Sequence, residues 1–448
     1  MFQHKARIQD HEESPRVCVT PPGVTLTNTI KVLGPRIFVG RWPSARVSIL
    51  SSRLPRRKDT VPWWFDALRT VAIRSATDGA SLLCVPGATA SDFMRRLCEL
   101  LQLPSLKFRL PDRESMATES IAEWLAINSP ESEEIAVSPR IELTDCAPAA
   151  DLSSLPLPDR ILAVCGTRLV GLHTTVNGNC QQLLHNQITT GKPVMLVALR
   201  GRKNPASADR SLVAAGAIPW ILEPLATPAQ DESNSSNRTV TLKHGPLTHP
   251  SEWLCHWTRP HRGPWSNQSE NEYLDELLLR SELADRSALA SLIRIVATQR
   301  IETTVLTLET RAVSWTAVPL NEFRHRRIFR RHKQHFDFEP WGIAVRKEWL
   351  EQNGCRSVQY VVDQGQESRG NSWLHQPARS RNGKIDWREE KEWRSPNRVV
   401  LAAACPGDVV VFVDQLSQVP ERLTELVQQH GWTIVAVPNP DSDETDKT

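Results

Sequence analysis

The sequence predicts an α/β chain in two unlike halves: a Rossmann-like parallel-sheet domain followed by an α+β domain. Three observations carry this. Between residues 45 and 225 short apolar runs alternate with segments of helical period, the pattern of parallel strands joined by crossover helices. Residues 226–250 are dense in Ser, Asn, Thr and Pro, as a linker is. Beyond them the apolar runs are short, rich in Trp, and not regularly interleaved with helices.

The elements follow in order. Residues 1–44 open with a polar, Pro-punctuated stretch and read as an N-terminal arm. Val47–Leu50 is a strand, Trp63 to Arg74 an amphipathic helix, and Ser81–Val85 a strand running into Pro86-Gly87-Ala88. A helix spans Asp92 to Leu101, and Leu106–Leu110 is the next strand. Arg160–Val164 reads as a strand, Asn179–Gln187 as a helix and Lys192–Val197 as a strand. The second domain, 251–438, has a helix over Ser287–Gln299, a strand at Val409–Val413, a helix at Glu421–Gln429 and a last strand at Thr433–Val437. Residues 439–448 form an acidic tail.

With 448 residues the chain is long enough for two or three hydrophobic cores, and a net charge of +3 excludes global basicity as a clue to partners. Nine cysteines, none in CxxC spacing, argue against a disulfide scaffold or zinc ribbon and for a reducing compartment. No His/Glu pattern suggests a metal site. The N-terminus lacks an apolar leader and no run is long enough to span a bilayer, so the expectation is a cytoplasmic protein without membrane contact. The sequence sets no oligomeric state.

In the first domain, Gly87 and Gly166 follow apolar runs read as strands, where free helix N–H groups of an open sheet meet anions. Arg168 is placed to pair with a phosphate there. Tight-turn duty explains the two glycines equally well. In the second domain, Glu390 and Glu392 lie two apart. In an extended segment they share a face, suited to acid/base or cation-stabilising work or, more blandly, to a solvated edge. Ser314 and Thr316 put two hydroxyls on one face of a strand. His256 and Arg259 open the domain. Arg324, Arg326, Arg327, Arg330 and Arg331, with Phe329 among them, form a basic block that suits either a nucleic-acid backbone or a solvated helix face.

Two resemblances add to this. The run Ile49-Leu50-Ser51-Ser52, Gly87, Asp159–Val164, Asn177-Gly178-Asn179 and Gly191-Lys192-Pro193-Val194 resembles the SLOG/LOG-like nucleotide-sensing Rossmannoid domains. That implies a nucleotide ligand. The Gly-Gly-x-Gly-Thr loop of the phosphoribohydrolase members is absent. The order His256, Ser314-x-Thr316, Glu390-x-Glu392 resembles the ADP-ribosyltransferase superfamily. It implies NAD as substrate, with Glu392 catalytic, Glu390 on the substrate side, His256 at the NAD ribose and Arg259, Ser314 and Thr316 in the pocket. Tyr273, Trp315 and Trp341 compete as the nicotinamide-stacking ring. Finally, Gly342–Tyr360 with Glu390–Arg394 is similar to a bacterial family tied to abortive phage infection. Together these imply a defence protein coupling nucleotide sensing to ADP-ribosyl transfer or NAD hydrolysis. The alternative is a regulatory protein that binds nucleotide or nucleic acid without catalysis.

Overall fold

The computed structural model describes residues 16–18, 20–34, 36–55, 61–111, 124–126, 134–139, 151–199, 207–222, 250–281, 284–306, 310–322, 329–330, 335–336, 338–361, 372–379 and 386–437. The chain forms two compact units, Met1–Glu232 with Ser269–Glu282, and Ser233–Gln268 with Leu283–Thr448.

The first unit is built on strands β1 (Arg16–Cys18), β2 (Phe38–Gly40), β3 (Arg46–Ser51), β4 (Ser81–Cys84), β5 (Ser105–Arg109), β6 (Ile135–Val137), β7 (Arg168–His173), β8 (Val194–Leu199) and β9 (Ile218–Leu222). They form one sheet in the order β1-β2-β6-β5-β4-β3-β7-β8-β9. Every pair from β6 to β9 is parallel, and β1 and β2 add antiparallel strands at one edge. The path from β5 to β9 is the strand order of the doubly wound dinucleotide-binding fold, and it reverses between β3 and β7. All six residues of β3 are buried, as expected of a strand covered on both faces.

Among the described residues, the helices of this unit with defined bounds are α1 (Leu26–Leu33), α2 (Pro62–Thr77), α3 (Ser91–Leu101), α4 (Leu157–Cys165), α5 (Asn179–Thr189), α6 (Ser207–Ala214) and α7 (Glu270–Leu279). α2 packs on α3, and both take α7 against them, while α1, α4, α5 and α6 pack in series. α7 arrives from beyond the 226–250 segment. Its Asp275 forms a two-pronged ion pair with Arg96 of α3 at 2.7 and 2.5 Å, and Arg69 of α2 donates to the Leu278 carbonyl at 2.9 Å. A capping box at Ser269 and Glu272 starts it.

Two sequence expectations change here. Residues 16–40 are not an arm: β1 and β2 join the sheet, and Val32, Leu33, Phe38 and Val39 are fully buried. Arg160–Val164 is helix rather than strand. Every residue from Arg160 to Cys165 is buried, and an apolar run covered on all sides has no period to tell the two apart. The strand is β7, the next segment. Buried Arg46 of β3 holds the end of α4, donating from Nε to the Cys165 carbonyl at 2.9 Å.

The second unit is α+β. Its main sheet holds β10 (Trp253–Trp257), β11 (Arg311–Thr316), β12 (Gly342–Arg346), β13 (Arg356–Ser357), β14 (Glu392–Ser395), β15 (Val409–Val413) and β16 (Thr433–Ala436). Their order is β13-β14-β11-β10-β12-β15-β16, with Thr304–Val305 paired onto β11. All these pairs are antiparallel except β15 with β16. α8 (Ala288–Thr298) and α10 (Glu421–Gln429) give Leu292, Val296, Leu423 and Val427 to a core with Leu254, Val313, Trp315, Ile343 and Val411. The alternate residues Trp253, Cys255, Trp257, Ala344, Val410 and Phe412 make a second cluster. This is the period-two division of strands with apolar cover on both faces. The motif Gly342–Leu350 is β12 running into the short helix α9 (Lys347–Gln352).

Candidate functional site

The reversal of strand order between β3 and β7 leaves a crevice outside their carboxyl ends, the place where open α/β sheets bind ligands. β3 delivers Ser51, Ser52 and Arg53 to it, and β7 delivers His173, Thr174 and Thr175. The Ser52 amide donates to the His173 carbonyl at 2.8 Å, and the hydroxyls of Ser52 and Thr175 meet at 3.2 Å. Ser51 accepts from the indole N–H of buried Trp64 at 2.9 Å, which fixes the strand end. Asn177, at φ +57°, turns the chain into α5, whose N-cap is Gly178. A Cβ on Gly178 would sit 2.3 Å from Thr175 Oγ1, so only glycine brings the α5 N-terminus this close to the strand end. No side chain caps that terminus.

α4 runs back against the strands, so its first turn also reaches this edge; Pro158 lies beside Gly87 there. The next residue, Asp159, feels the charges of both Arg53 and the Cys180 thiol. Burial raises the Asp159 carboxyl above its usual range, and Arg53 only partly opposes this. Cys180, in the first turn of α5, is pushed up to about 12 by burial and then by the Asp159 charge, so it stays a thiol. Neither Asp159 nor Arg53 makes a hydrogen bond or ion pair among the described residues. Ser52 and Thr175 thus meet at this edge, with Asp159 within electrostatic range of both Arg53 and Cys180. The sequence signal for them was the Ser-Ser-Arg ending of the β3 run and the Asn-Gly turn before α5. Reading α4 as a strand hid Asp159.

Of the residues expected in this domain, Gly87 lies on this edge, whereas Gly166 and Arg168 do not. Gly87, at φ +85°, makes the turn after β4 on the same carboxyl edge. Gly166 and Arg168 lie at the opposite, amino edge, because the segment before them is helix. A Cβ on Gly166 would meet Ser48 Oγ at 2.3 Å, so this glycine serves packing, and half-buried Arg168 pairs with Asp78 at 3.3 Å.

In the second unit, Cys255 stands opposite Thr316 and Thr316 opposite Glu392, so these three share a sheet face with Ser314 and Arg394. His256, the next residue along β10, belongs to the other face, with its ring centroid 5.6 Å from that of Trp315. The structure therefore brings Ser314, Thr316 and Glu392 together but not His256. The His256 Nδ1 bonds to the Ser314 carbonyl at 2.9 Å, and burial, helped by the Arg259 charge, lowers its pKa to about 4. Arg259 itself is exposed in the following loop.

Glu390 and Glu392 do not share a strand face as expected. Glu390 ends the helical turn Trp387–Glu390, Lys391 takes φ +44°, and only then does β14 begin. Both Glu392 oxygens accept from Arg394, at 2.9 and 3.0 Å. Arg394 is buried and also donates to the Trp373 carbonyl and Gln376. The Glu390 carbonyl accepts from Thr316 Oγ1 at 2.6 Å, making that hydroxyl a structural tie. Of the three competing rings, Tyr273 lies in α7 of the first unit, Trp315 is buried beside His256, and Trp341 precedes β12.

Arg324, Arg326, Arg327 and Arg331 lie outside the described residues. Arg330 falls in a short strand, Phe329–Arg330, paired antiparallel with His335–Phe336, rather than on a helix face. Among the described residues no group of acidic, His and Cys side chains is arranged for a metal, and no helix is long and apolar enough to cross a membrane.

No family model and no curated protein matches the chain. Among solved structures it is similar to DNA processing protein A from Helicobacter pylori, described for its single-stranded DNA binding mode. The identity is 15%, covering 42% of this chain and 82% of that one, with a TM-score of 0.27. So slight a likeness carries no argument about function.

Proposed function

We propose that the first unit binds a phosphate-bearing nucleotide outside the carboxyl ends of β3 and β7, and that the protein acts as a nucleotide-responsive regulator. The observation that carries this is the meeting of Ser52 and Thr175 beside the uncapped first turn of α5 at the strand-order reversal, with Arg53 within electrostatic range of Asp159. Hydroxyls, an unengaged guanidinium and free backbone N–H groups are the donors a phosphate takes. A setting in bacterial defence rests on the resemblance of Gly342–Tyr360 and Glu390–Arg394 and is part of the proposal.

NAD-consuming transfer finds less support. The residues assigned to NAD do not fit one pocket, since His256 and Glu392 project from opposite sheet faces and Glu392 is engaged by Arg394. The test is calorimetric titration of the full-length protein with ATP, ADP, NAD and cyclic dinucleotides, with nicotinamide release followed in parallel. At least one nucleotide should bind in the micromolar range, and Arg53→Ala should weaken it about tenfold without altering the melting curve. Absence of binding by all of them at millimolar concentration would sink the reading.

A further inference from the structure

We propose that residues 258–268 of the second unit, with the start of α8, form a docking surface for single-stranded nucleic acid. The proposal goes beyond nucleotide binding by the first unit and rests on separate residues.

After β10 the chain turns through Pro260, Gly263 and Pro264 and lies along the start of α8. The His261 amide donates to the Arg286 carbonyl at 2.8 Å, and Ser291 of α8 donates to the Arg259 carbonyl at 2.9 Å. The Trp265 ring is the centre of this surface. The His261 ring stacks on it with centroids 4.3 Å apart and planes 19° from parallel. The guanidinium carbons of Arg286 and Arg294 stand 4.7 and 4.8 Å from its centroid. Buried Arg286 also donates to the Gly263 carbonyl at 3.2 Å and to Gln268 at 3.0 Å, which holds the loop in place. Arg259 and Arg262 are exposed on the same loop.

Residues 258–268 and 284–298 together hold four arginines against a single carboxylate, Asp285. That carboxylate accepts from the amide and hydroxyl of Ser287 at the start of α8. So uneven a surface attracts a polyanion. The rings narrow the kind. Trp265, His261 and Arg294 are each half-buried, so flat ring and guanidinium surfaces lie among the charges. Unpaired bases stack on such surfaces while their phosphates meet the arginines, whereas a duplex keeps its bases stacked on one another. An anionic bilayer or a phosphate-rich peptide would use the charges and leave the rings idle.

The test is fluorescence anisotropy of labelled oligo-dT and oligo-U with the full-length protein over a range of salt. At least one strand should bind at low salt, about tenfold more tightly than a duplex of the same length. Arg259→Ala with Arg262→Ala removes two exposed cations and no packing. It should weaken binding about tenfold and flatten the slope of log affinity against log salt by about 1.4. Trp265→Phe should keep most of the affinity and Trp265→Leu should lose about tenfold, with the melting curve of each recorded beside it. Arg74→Ala with Arg210→Ala, exposed arginines of the first unit, should change nothing. Absence of binding by either strand at low salt would overturn the proposal, as would unchanged affinity in the Arg259→Ala, Arg262→Ala protein. Equal affinity for duplex, heparin or phosphatidylglycerol vesicles would overturn it too. None of these outcomes bears on the nucleotide titration of the first unit.

Discussion

Glu392 looks from the sequence like a group waiting for substrate, yet its two oxygens are both spent on Arg394. The pair has side-chain exposures of 13% and 5%, so removing one partner strands a charge with little water around it. Glu392→Gln should lower the unfolding free energy by about 3 kcal/mol, read from the denaturant midpoint. Adding Arg394→Met should recover part of that loss, because the charge left behind goes too. A loss of function in Glu392→Gln is therefore uninformative about chemistry unless stability is measured beside it. His256 makes a different prediction. Its folded pKa is about 4 against an ordinary 6.5, so between these values the unfolded chain binds the extra proton. Its contribution is full above pH 6.5 and is lost as the pH falls toward 4. The wild type should lose more stability between pH 7 and 5 than His256→Gln does, by less than the one-proton limit of about 1.4 kcal/mol per pH unit. Equal losses would show that the ring stays hydrated.

At the scale of elements, β12 depends on a residue with no side chain. A Cβ on Gly342 would lie 2.2 Å from the His256 carbonyl and 2.4 Å from Phe412 Cζ. Gly342→Ala must part β12 from β10 or displace Phe412, and should cost about 3 kcal/mol in thermal or chemical unfolding. How much was legible in the sequence turns on such local settings. Runs with a clear period or a clear ending were read correctly: β3, β4, β5 and β8, with helices α2, α3 and α5, lie where they were expected. α4 was misread because it is buried all round, and β7, the other wall of the crevice, was missed with it. The carboxylates at 390 and 392 were misplaced because Lys391 takes a left-handed conformation that neither neighbour announces. The crevice was only half legible. Its Ser51 and Ser52 hydroxyls and the Gly178 turn stand out in the sequence, whereas the place of Asp159 follows only from the direction of α4.

For the whole molecule, the decisive fact is that the linker does not divide the two units. The chain passes between them at Glu232–Ser233, again at Gln268–Ser269 and again at Glu282–Leu283, because α7 belongs to the first unit. Leu278 of that helix is fully buried, and Tyr273 nearly so. A fragment of residues 1–225 should therefore expose the surfaces of α2 and α3 that α7 covers. It should bind a hydrophobic dye and aggregate, and adding a peptide of residues 266–283 should relieve both. A fragment that is monomeric and dye-free without the peptide would show that α7 is dispensable. A chain cut within 226–250 should stay together on a sizing column, and Leu278→Asp should let the pieces part. Most linkers also serve as seams for recombination, where one module can be exchanged for another without loss. Here a crossover in 226–250 would give the new partner the wrong α7, so the two halves are bound to be inherited as one piece.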